Sequence, residues 1–295
     1  MKNNLLEKNE YFYGHKGCAG CGGSLAVRLA LKVLGKNSIA VLPAGCMSAV
    51  GFVYPQLAFG VNALISPFAS TAAVASGIYA GAKSLGLKDS HVVCFAGDGG
   101  TADIGLQALS GAIDRGDKII YICYDNEAYM NTGVQQSSLT PYGAKTTTTP
   151  AGDRIHGSTN VKKDMFDIVA AHKIAYAATA SVGNIPDYIR KVEKASKTNG
   201  TSYIHVSAPC PTGWGIESCD TVQIAKDALN CGLWFLAEYE NNEYKINRQI
   251  KEFTAVKDYL KKQSRFKHLT DEDIKIIEEQ RDKKWADLKK KAGLK

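Results

Sequence analysis

Apolar runs alternate along the chain with segments whose apolar residues recur at helical spacing. Five runs rich in Val, Ile, Ala and Tyr, bounded by Gly, Pro, Asp or Asn, predict buried strands. The predicted strands are Ser38–Leu42, His91–Ala96, Lys118–Tyr124, Ile174–Ala180 and Ser202–Ala208. The predicted helices between them are Ser24–Leu34, Ser70–Leu85, Ala102–Arg115, Asp164–His172 and Pro186–Ser196.

This alternation predicts an α/β fold with a mostly parallel sheet and helices on both faces. Ligands of such sheets bind at the carboxyl ends of the strands. Two polar motifs, Gly97–Gly100 and Asp125–Asn126, directly follow predicted strands. The polar segment Asp125–Val161 shows no clear periodicity, and a loop of that length in a compact domain usually carries function.

A chain of 295 residues with 45% hydrophobic and 22% charged residues forms a large core, as one large domain or two modest ones. The segment Asn37–Ala82 contains 46 residues without Asp, Glu, Lys or Arg. Pro43, Pro55 and Pro67 interrupt it, and no stretch approaches the roughly 20 apolar residues of a membrane span. We therefore expect a core segment or a subunit interface there, and no membrane.

Positive charge is concentrated near the C-terminus, because the residues from Lys251 onward contribute five of the seven excess positive charges. We predict one domain over residues 1–240 and a charged, mainly helical extension over residues 241–295. The extension is either solvated or a docking surface for an acidic protein or partner subunit. Nucleic acid binding is not expected, since no aromatic–basic motif or zinc-finger spacing accompanies the charge.

The N-terminal segment Met1–Gly14 is polar and of mixed charge, and without an apolar stretch it predicts no secretory signal. We therefore expect a cytoplasmic, reducing location. In such a compartment the eight cysteines are metal ligands, catalytic thiols or buried hydrophobic residues rather than disulfides.

The glycine-rich turn Gly97–Gly100 has the composition of a diphosphate site with a divalent cation. Glycines let backbone N–H groups approach a phosphate, and the Asp98 carboxylate is a hard oxygen ligand that Mg²⁺ prefers. Asn126, 28 positions later on the next strand end, supplies a second oxygen, and the carbonyl of Ala128 supplies a third. The simpler alternative is a turn in which Asp98 caps a helix.

Four of the cysteines form a candidate metal-binding set: Cys18, Cys21, Cys46 and Cys210. Four thiolates bind either Zn²⁺ or a 4Fe–4S cluster, and the number of ligands does not decide between them. Their wide scatter along the chain and Pro211 after the last ligand favour iron–sulfur. The other four are expected to be structural, with Cys219 as a weak competitor of Cys210: Cys94, Cys123, Cys219 and Cys231.

The GDG motif followed by Asn resembles the signature of thiamine-diphosphate-binding domains. Longer stretches, including GHKGCAGCGG, TPYGAKTTTTPAG and HVSAPCPTGW, look like the β subunits of the pyruvate:ferredoxin oxidoreductase family of 2-oxoacid:ferredoxin oxidoreductases. The resemblance covers roughly residues 12–240. It implies thiamine diphosphate, Mg²⁺ and a 4Fe–4S cluster as cofactors, with the cluster held by the four cysteines.

The resemblance also implies particular site residues. Asn131 matches the family's asparagine over the reacting carbons, and an amide there polarises a carbonyl that gains negative charge. From the residues alone, an asparagine that caps a turn remains the alternative. The residues implied to bind the cofactor are Gly45, Cys46, Asp98, Gly99, Gly100, Asn126, Ala128 and Asn131.

The implied reaction is oxidative decarboxylation of pyruvate with coenzyme A, with electrons passing through the cluster to ferredoxin. Another 2-oxoacid (2-oxobutyrate, a branched 2-oxoacid or oxalate) is the alternative. Implied partners are an α subunit and γ- and δ-type ferredoxin-like subunits. Gly23 replaces the glutamate of many relatives, so we expect the α subunit to complete the cofactor and substrate site.

Two rival hypotheses remain from the sequence. One is an iron–sulfur electron-transfer or scaffold subunit that binds no thiamine diphosphate. The other is a zinc-stabilised thiamine decarboxylase without redox output. Outside these sets, we expect His205 to be a satisfied core residue, and Trp214 either to shield the cluster or simply to pack.

Overall fold

The computed structural model describes residues 9–87, 89–152 and 156–294. The first eight residues of the segment Met1–Gly14, for which we predicted no secretory signal, therefore lie outside the described residues. The described chain forms a sheet with strand order β10-β9-β7-β8-β6-β5-β1-β4 and a separate hairpin, β2-β3. The strands are β1 (Ser38–Pro43), β2 (Phe52–Val53), β3 (Gln56–Leu57), β4 (Asn62–Ser66), β5 (His91–Gly97), β6 (Ile119–Asp125), β7 (Tyr176–Ser181), β8 (Ser202–Ser207), β9 (Ala237–Glu240) and β10 (Glu243–Ile246).

Helices connect the strands and cover both sides of the sheet. They are α1 (Gly22–Leu34), α2 (Cys46–Gly51), α3 (Thr71–Ser84), α4 (Leu106–Arg115), α5 (Met165–Ala171), α6 (Ile185–Lys197), α7 (Pro211–Trp214), α8 (Thr221–Asn230), α9 (Val256–Lys261) and α10 (Asp271–Lys291). Short 3-10 turns occupy Ser218–Asp220 and Ser264–Phe266.

The sheet is parallel from β4 to β7, and β9 and β10 add an antiparallel edge. Alternate residues of β5 enter two different cores. Val93 and Phe95 face the core with α1 and α6, while Val92 and Cys94 face the core with α3 and α4. The predicted parallel sheet with helices on both faces is confirmed.

The predicted helix Ala102–Arg115 was wrong at its start. A π-helical turn spans Gly99–Asp103, and α4 begins only at Leu106. A side chain at Gly105 would collide with the carbonyl oxygen of Gly100. The turn therefore depends on glycine at a close backbone approach, which helical periodicity does not reveal.

The charged C-terminal extension is helical as predicted but packs against the sheet rather than lying free in solvent. The proposed boundary after residue 240 falls in the turn between β9 and β10, so β10 continues the sheet. Trp285 and Leu288 of α10 are buried, and Trp285 Nε1 donates to the carbonyl of Gly232 at 2.8 Å. These few apolar residues among many lysines decide the packing.

The uncharged segment over residues 37–82 divides into core and surface. Ser38–Pro43 is mostly buried in the sheet between β4 and β5, whereas Tyr54 is 92% and Leu57 67% exposed. Among the described residues, no helix is long and apolar enough to cross a membrane.

Candidate functional site

A cavity of about 220 Å³ opens at the carboxyl ends of the parallel strands. All eight residues predicted to bind the cofactor line it, brought from four segments: the end of β1, the β5 turn, the end of β6 and the following loop. The lining includes Gly45, Cys46, Asp98, Gly99, Gly100, Asn126, Ala128 and Asn131. Their binding role stays a prediction, but the fold places them around one space.

Asp98 lies fully buried at the end of β5. Ser137 Oγ donates to Asp98 Oδ2 at 2.5 Å, which gives a role to a loop serine for which the sequence suggested none. Burial raises the pKa of Asp98 well above its usual value, and the nearby charge of Asp125 adds to that effect. A buried carboxylate of this kind favours a bound cation that offsets its charge.

Three polar groups meet at the Asp98 turn: the Asp98 carboxylate, the Asn126 amide and the Ala128 carbonyl. The Asn126 NH₂ donates to Asp98 Oδ1 at 2.8 Å and to the carbonyl oxygen of Ala128 at 3.0 Å. The same amide, turned by half a turn, would present its oxygen to a cation, and Mg²⁺ prefers carboxylate, amide and carbonyl oxygens. The donor set fits Mg²⁺.

The π-helical turn after Asp98 is fixed by close contacts to its glycines. A side chain at Gly99 would collide with the ring of Tyr129, and one at Gly100 would lie 3.0 Å from the ring of Phe68. Tyr129 OH donates to Asp103 Oδ2 at 2.8 Å and holds that ring in place. Gly99 and Gly100 both line the cavity, and neither position has free room for a side chain.

Asn131 lies exposed at the rim of the cavity, in a short loop that closes on itself. Tyr129 N donates to the carbonyl of Gln135 at 2.9 Å, and Gln135 Nε2 donates to the carbonyl of Thr132 at 2.9 Å. Val134 adopts a left-handed φ of 64° at the turn. The loop holds Asn131 among the residues that line the cavity, and its polarising role stays a prediction.

The four candidate cluster cysteines come together from three parts of the chain. Gly22 N donates to the carbonyl of Pro209 at 3.1 Å and joins the Cys18–Cys21 loop to the Cys210 turn. Burial raises the pKa of Cys46 to about 12, and charges on Cys21, Cys210 and Cys18 contribute. Burial also raises the pKa of Cys210, and the nearby Cys21 and Cys18 add to that effect.

Three of these thiols lie at the start of helices. Cys21 caps α1 and accepts from Ser24 N at 3.4 Å, and Cys210 caps α7 and accepts from Gly213 N at 3.4 Å. Cys46 is the first residue of α2 and also lines the cavity. Helix N-termini and N–H···S hydrogen bonds stabilise thiolates, which suits an anionic cluster. Within the described ranges, no group of three or more His, Cys, Asp or Glu is arranged to hold a single metal ion.

The remaining cysteines are separate from this set. Cys94, Cys123 and Cys231 are buried as expected, whereas Cys219 is exposed and close to Asp220. A side chain at Gly23, where many relatives carry glutamate, would lie 3.2 Å from Met47 and 3.3 Å from Tyr124. Asp98 is the only acidic side chain among the described residues that line the cavity.

A buried charge cluster behind the metal-binding residues was missed by the sequence analysis. Lys162 Nζ lies 2.7 Å from Asp125 Oδ2 and 2.6 Å from Glu127 Oε1. Arg265 Nη2 pairs with Glu127 Oε2 at 2.6 Å, and His205 Nε2 lies 2.9 Å from Asp125 Oδ2. Lys162 and His205 hold the pKa of Asp125 below its usual range although burial opposes them. His205 is thus the satisfied core residue that we expected.

Trp214 joins this cluster to the residues predicted to bind the metal. Its side chain is 1% exposed, its Nε1 donates to the carbonyl of Asn126 at 2.8 Å, and the Arg265 guanidinium stacks 3.8 Å from its ring. This hydrogen bond to the Asn126 loop was not anticipated. Only the family-like stretch around Cys210 singled out this tryptophan in the sequence.

The family comparison agrees with this geometry. Residues 43–206 match the model of the thiamine pyrophosphate enzyme, C-terminal TPP binding domain. The matched region runs from the end of β1 to β8 and includes the Asp98 turn and the Asn126 loop. The chain belongs to the thiamine pyrophosphate enzymes.

Curated relatives narrow the class further. The chain is 49% identical over 276 residues to pyruvate synthase subunit PorB of Methanothermobacter thermautotrophicus, covering 94% of this chain and 96% of that protein. It is equally 49% identical over 294 residues to ketoisovalerate oxidoreductase subunit VorB of Pyrococcus horikoshii, covering 97% and 94%. Within its family the chain is therefore a 2-oxoacid:ferredoxin oxidoreductase subunit of the β type, as the sequence motifs indicated.

A solved structure shares the fold. The 2-oxoglutarate:ferredoxin oxidoreductase from Magnetococcus marinus aligns with a TM-score of 0.59 and 22% identity, covering 72% of this chain and 70% of that one. At this identity the likeness supports the fold alone.

Proposed function

We propose that this chain is the β subunit of a pyruvate:ferredoxin oxidoreductase that forms acetyl-CoA and CO₂ from pyruvate and coenzyme A. One observation supports this function above the others: Cys46 lines the same cavity as Asp98, Asn126 and Asn131. A cofactor that generates electrons and a cluster that removes them need to be close. The position of Cys46 in the wall of the proposed cofactor cavity meets that requirement.

In this proposal the chain binds Mg²⁺ through Asp98, Asn126 and the Ala128 carbonyl, and the open turn at Gly99 and Gly100 receives the diphosphate. Bound thiamine diphosphate supplies carbanion stabilisation at the 2-oxo carbon. Asn131 donates from its amide to the substrate oxygen as negative charge develops there. The four cysteines hold a 4Fe–4S cluster for one-electron exit.

The chain forms only part of the active site in this proposal. The cavity offers no glutamate among its described residues, so a partner α subunit supplies the acid that activates the aminopyrimidine and closes the substrate site. Ferredoxin-like γ- and δ-type subunits then carry electrons to ferredoxin. We place the complex in the cytoplasm.

A second substrate has specific support. The VorB relatives equal the PorB relatives in identity, so a branched 2-oxoacid is the alternative to pyruvate. The test is anaerobic viologen reduction by the co-purified complex with coenzyme A and a panel of pyruvate, 2-oxobutyrate, 3-methyl-2-oxobutanoate and oxalate. We expect the highest kcat/KM with pyruvate. A higher value with the branched acid would favour the alternative, and no reduction with any acid would overturn both.

The cluster assignment is tested by two cysteine variants of the same complex. Cys210→Ser is expected to lose the iron and sulfide of one 4Fe–4S cluster per copy of this chain while retaining Mg²⁺-dependent cofactor binding. Cys219→Ser, which changes an exposed thiol in the next turn, is the matched control and is expected to retain full iron content. If Cys219→Ser lost iron instead, Cys219 rather than Cys210 would be the fourth ligand. Zinc without iron in the native complex would contradict the assignment of a 4Fe–4S cluster.

A further inference from the structure

Glu127 occupies an unusual position between two of the proposed metal ligands. Its φ of 69° is left-handed, a conformation that residues other than glycine rarely adopt. Asn126 and Ala128 line the cofactor cavity, whereas Glu127 lines a second cavity behind it. The left-handed residue thus lets its two neighbours face the same cation site while its own side chain points away.

Several contacts hold Glu127 in this conformation. Lys162 and Arg265 each bind one carboxylate oxygen at 2.6 Å, and the side chain is only 12% exposed. Thr140 Oγ1 donates to the Glu127 carbonyl at 2.7 Å, and Glu127 N donates to Asp125 Oδ1 at 3.0 Å. Strained backbone persists where its surroundings hold it so firmly.

Arg265 differs from the other partners of Glu127 because it contacts both the loop Asn126–Ala128 and the turn Cys210–Trp214. Its guanidinium pairs with Glu127 and stacks on Trp214, and Trp214 donates to the carbonyl of Asn126. Trp214 also ends the four-residue helix α7, which Cys210 caps. The side chain of Arg265 is 5% exposed, so these contacts are made away from water.

The contacts point to one role for this residue. We propose that Arg265 is a positioning residue that fixes the loop Asn126–Ala128 relative to the turn Cys210–Trp214, and so the cation site relative to the cluster. This inference rests on the proposed function. A planar guanidinium suits the task because it forms a directed ion pair and stacks on indole at once, which a lysine does not.

Variants of the assembled complex test the role. Arg265→Gln removes the charge and weakens the stack. Trp214→Phe keeps a ring under Arg265 but loses the donor to Asn126. Arg281→Gln is the matched control, because Arg281 also lies in the C-terminal segment and stacks on an aromatic ring, Phe253 at 4.7 Å, but contacts neither loop.

The readouts are the Kd of thiamine diphosphate measured calorimetrically with saturating Mg²⁺, and the electron paramagnetic resonance spectrum of the reduced cluster. We expect Arg265→Gln and Trp214→Phe each to weaken binding about tenfold, which is about 1.4 kcal/mol. The cluster signal should change in both variants at unchanged iron content. Arg265→Lys is expected to restore part of the affinity but not the native signal. Arg281→Gln should match the native complex in both readouts.

Different failures have different meanings. Native binding and a native signal in both Arg265→Gln and Trp214→Phe would overturn the positioning role alone. An equal loss in Arg281→Gln would also overturn it, because general loosening of the C-terminal segment would then explain the result. If the native complex itself bound no thiamine diphosphate with Mg²⁺, the proposed function would fail and this inference with it. Trp214→Phe keeps the test valid if Arg265→Gln does not fold.

Discussion

Two cavities of about the same volume, 220 Å³, share the segment after β6 as a common wall. The front cavity holds Asp98, a buried carboxylate without a salt bridge to any described residue. In the rear cavity every charged side chain of the lining forms an ion pair, including Lys162, Arg265 and Lys284.

The difference separates binding from support. A charge left unbalanced in the interior is unfavourable unless a ligand offsets it, and this agrees with the proposal that the front cavity binds a cation. Charges that balance each other have no such requirement, and they hold the backbone instead. In the segment after β6, Asn126 and Ala128 therefore face the proposed ligand, whereas Glu127 forms ion pairs that hold the backbone in place.

The largest effect on stability is expected from breaking an ion pair of the rear cavity. Lys162→Met leaves Asp125 and Glu127 with one fewer buried partner, and breaking a buried ion pair costs about 3–5 kcal/mol. The free energy of unfolding, measured with denaturant, should fall by that amount. Lys163→Met is the control: its pair with Asp103 is 3.6 Å long and partly exposed, and its Nζ also donates to the carbonyl of Ala102, so a smaller loss of about 1–2 kcal/mol is expected. Equal losses in both variants would contradict the comparison.

Removing the unbalanced charge should instead affect binding and not stability. Asp98→Asn is expected to weaken Mg²⁺-dependent cofactor binding at least about 100-fold. This exceeds the effect of changing a residue that only hydrogen-bonds to a metal ligand, which weakens metal binding about 10- to 100-fold. Because burial raises the pKa of Asp98, the ionised carboxylate destabilises the ligand-free fold at neutral pH, and the amide removes that penalty. Titration calorimetry and thermal unfolding without cofactor measure the two effects. A lower melting temperature in Asp98→Asn would show that the carboxylate supports the fold.

The smallest effect sharpens the front cavity. Ser137→Ala removes the hydroxyl that donates to Asp98 and should weaken cofactor binding about tenfold, since a hydrogen bond to a charged group contributes about 1.5–3 kcal/mol. Ser138→Ala is a control one residue away, because the buried Ser138 Oγ has no partner among the described residues. It should bind normally. The reverse order of effects would place the supporting hydroxyl on Ser138.

The front cavity could be predicted from the sequence because its parts are local. The Asp98 turn and Asn126 each follow an apolar strand, and parallel strands bring their carboxyl ends to one edge. The resemblance added Asn131 and the four cysteines, although their roles stay predictions. Boundaries were less certain: the π-helical turn after Asp98 depends on tight contacts to Tyr129 and Phe68 that no periodicity encodes.

The rear cavity could not be predicted, for a physical reason. Arg265 lies 138 residues from Glu127 in a lysine-rich segment, where a single basic residue has no feature that distinguishes a buried partner from a solvated charge. Lys162 lies in a polar loop, where its sequence context likewise does not distinguish a buried ion-pair partner from a solvated charge. Ion pairing at long sequence separation leaves no mark in local composition.

The separation between Glu127 and Arg265 also sets an order of synthesis. At 5–20 residues per second, a ribosome adds the intervening 138 residues in about 7 to 28 seconds. During that interval the nascent Asn126–Ala128 loop lacks the guanidinium that holds its left-handed residue, and Cys210 is itself made only late. The residues predicted to bind the cation and the four candidate cluster cysteines therefore reach their final arrangement only after Arg265 has been synthesised.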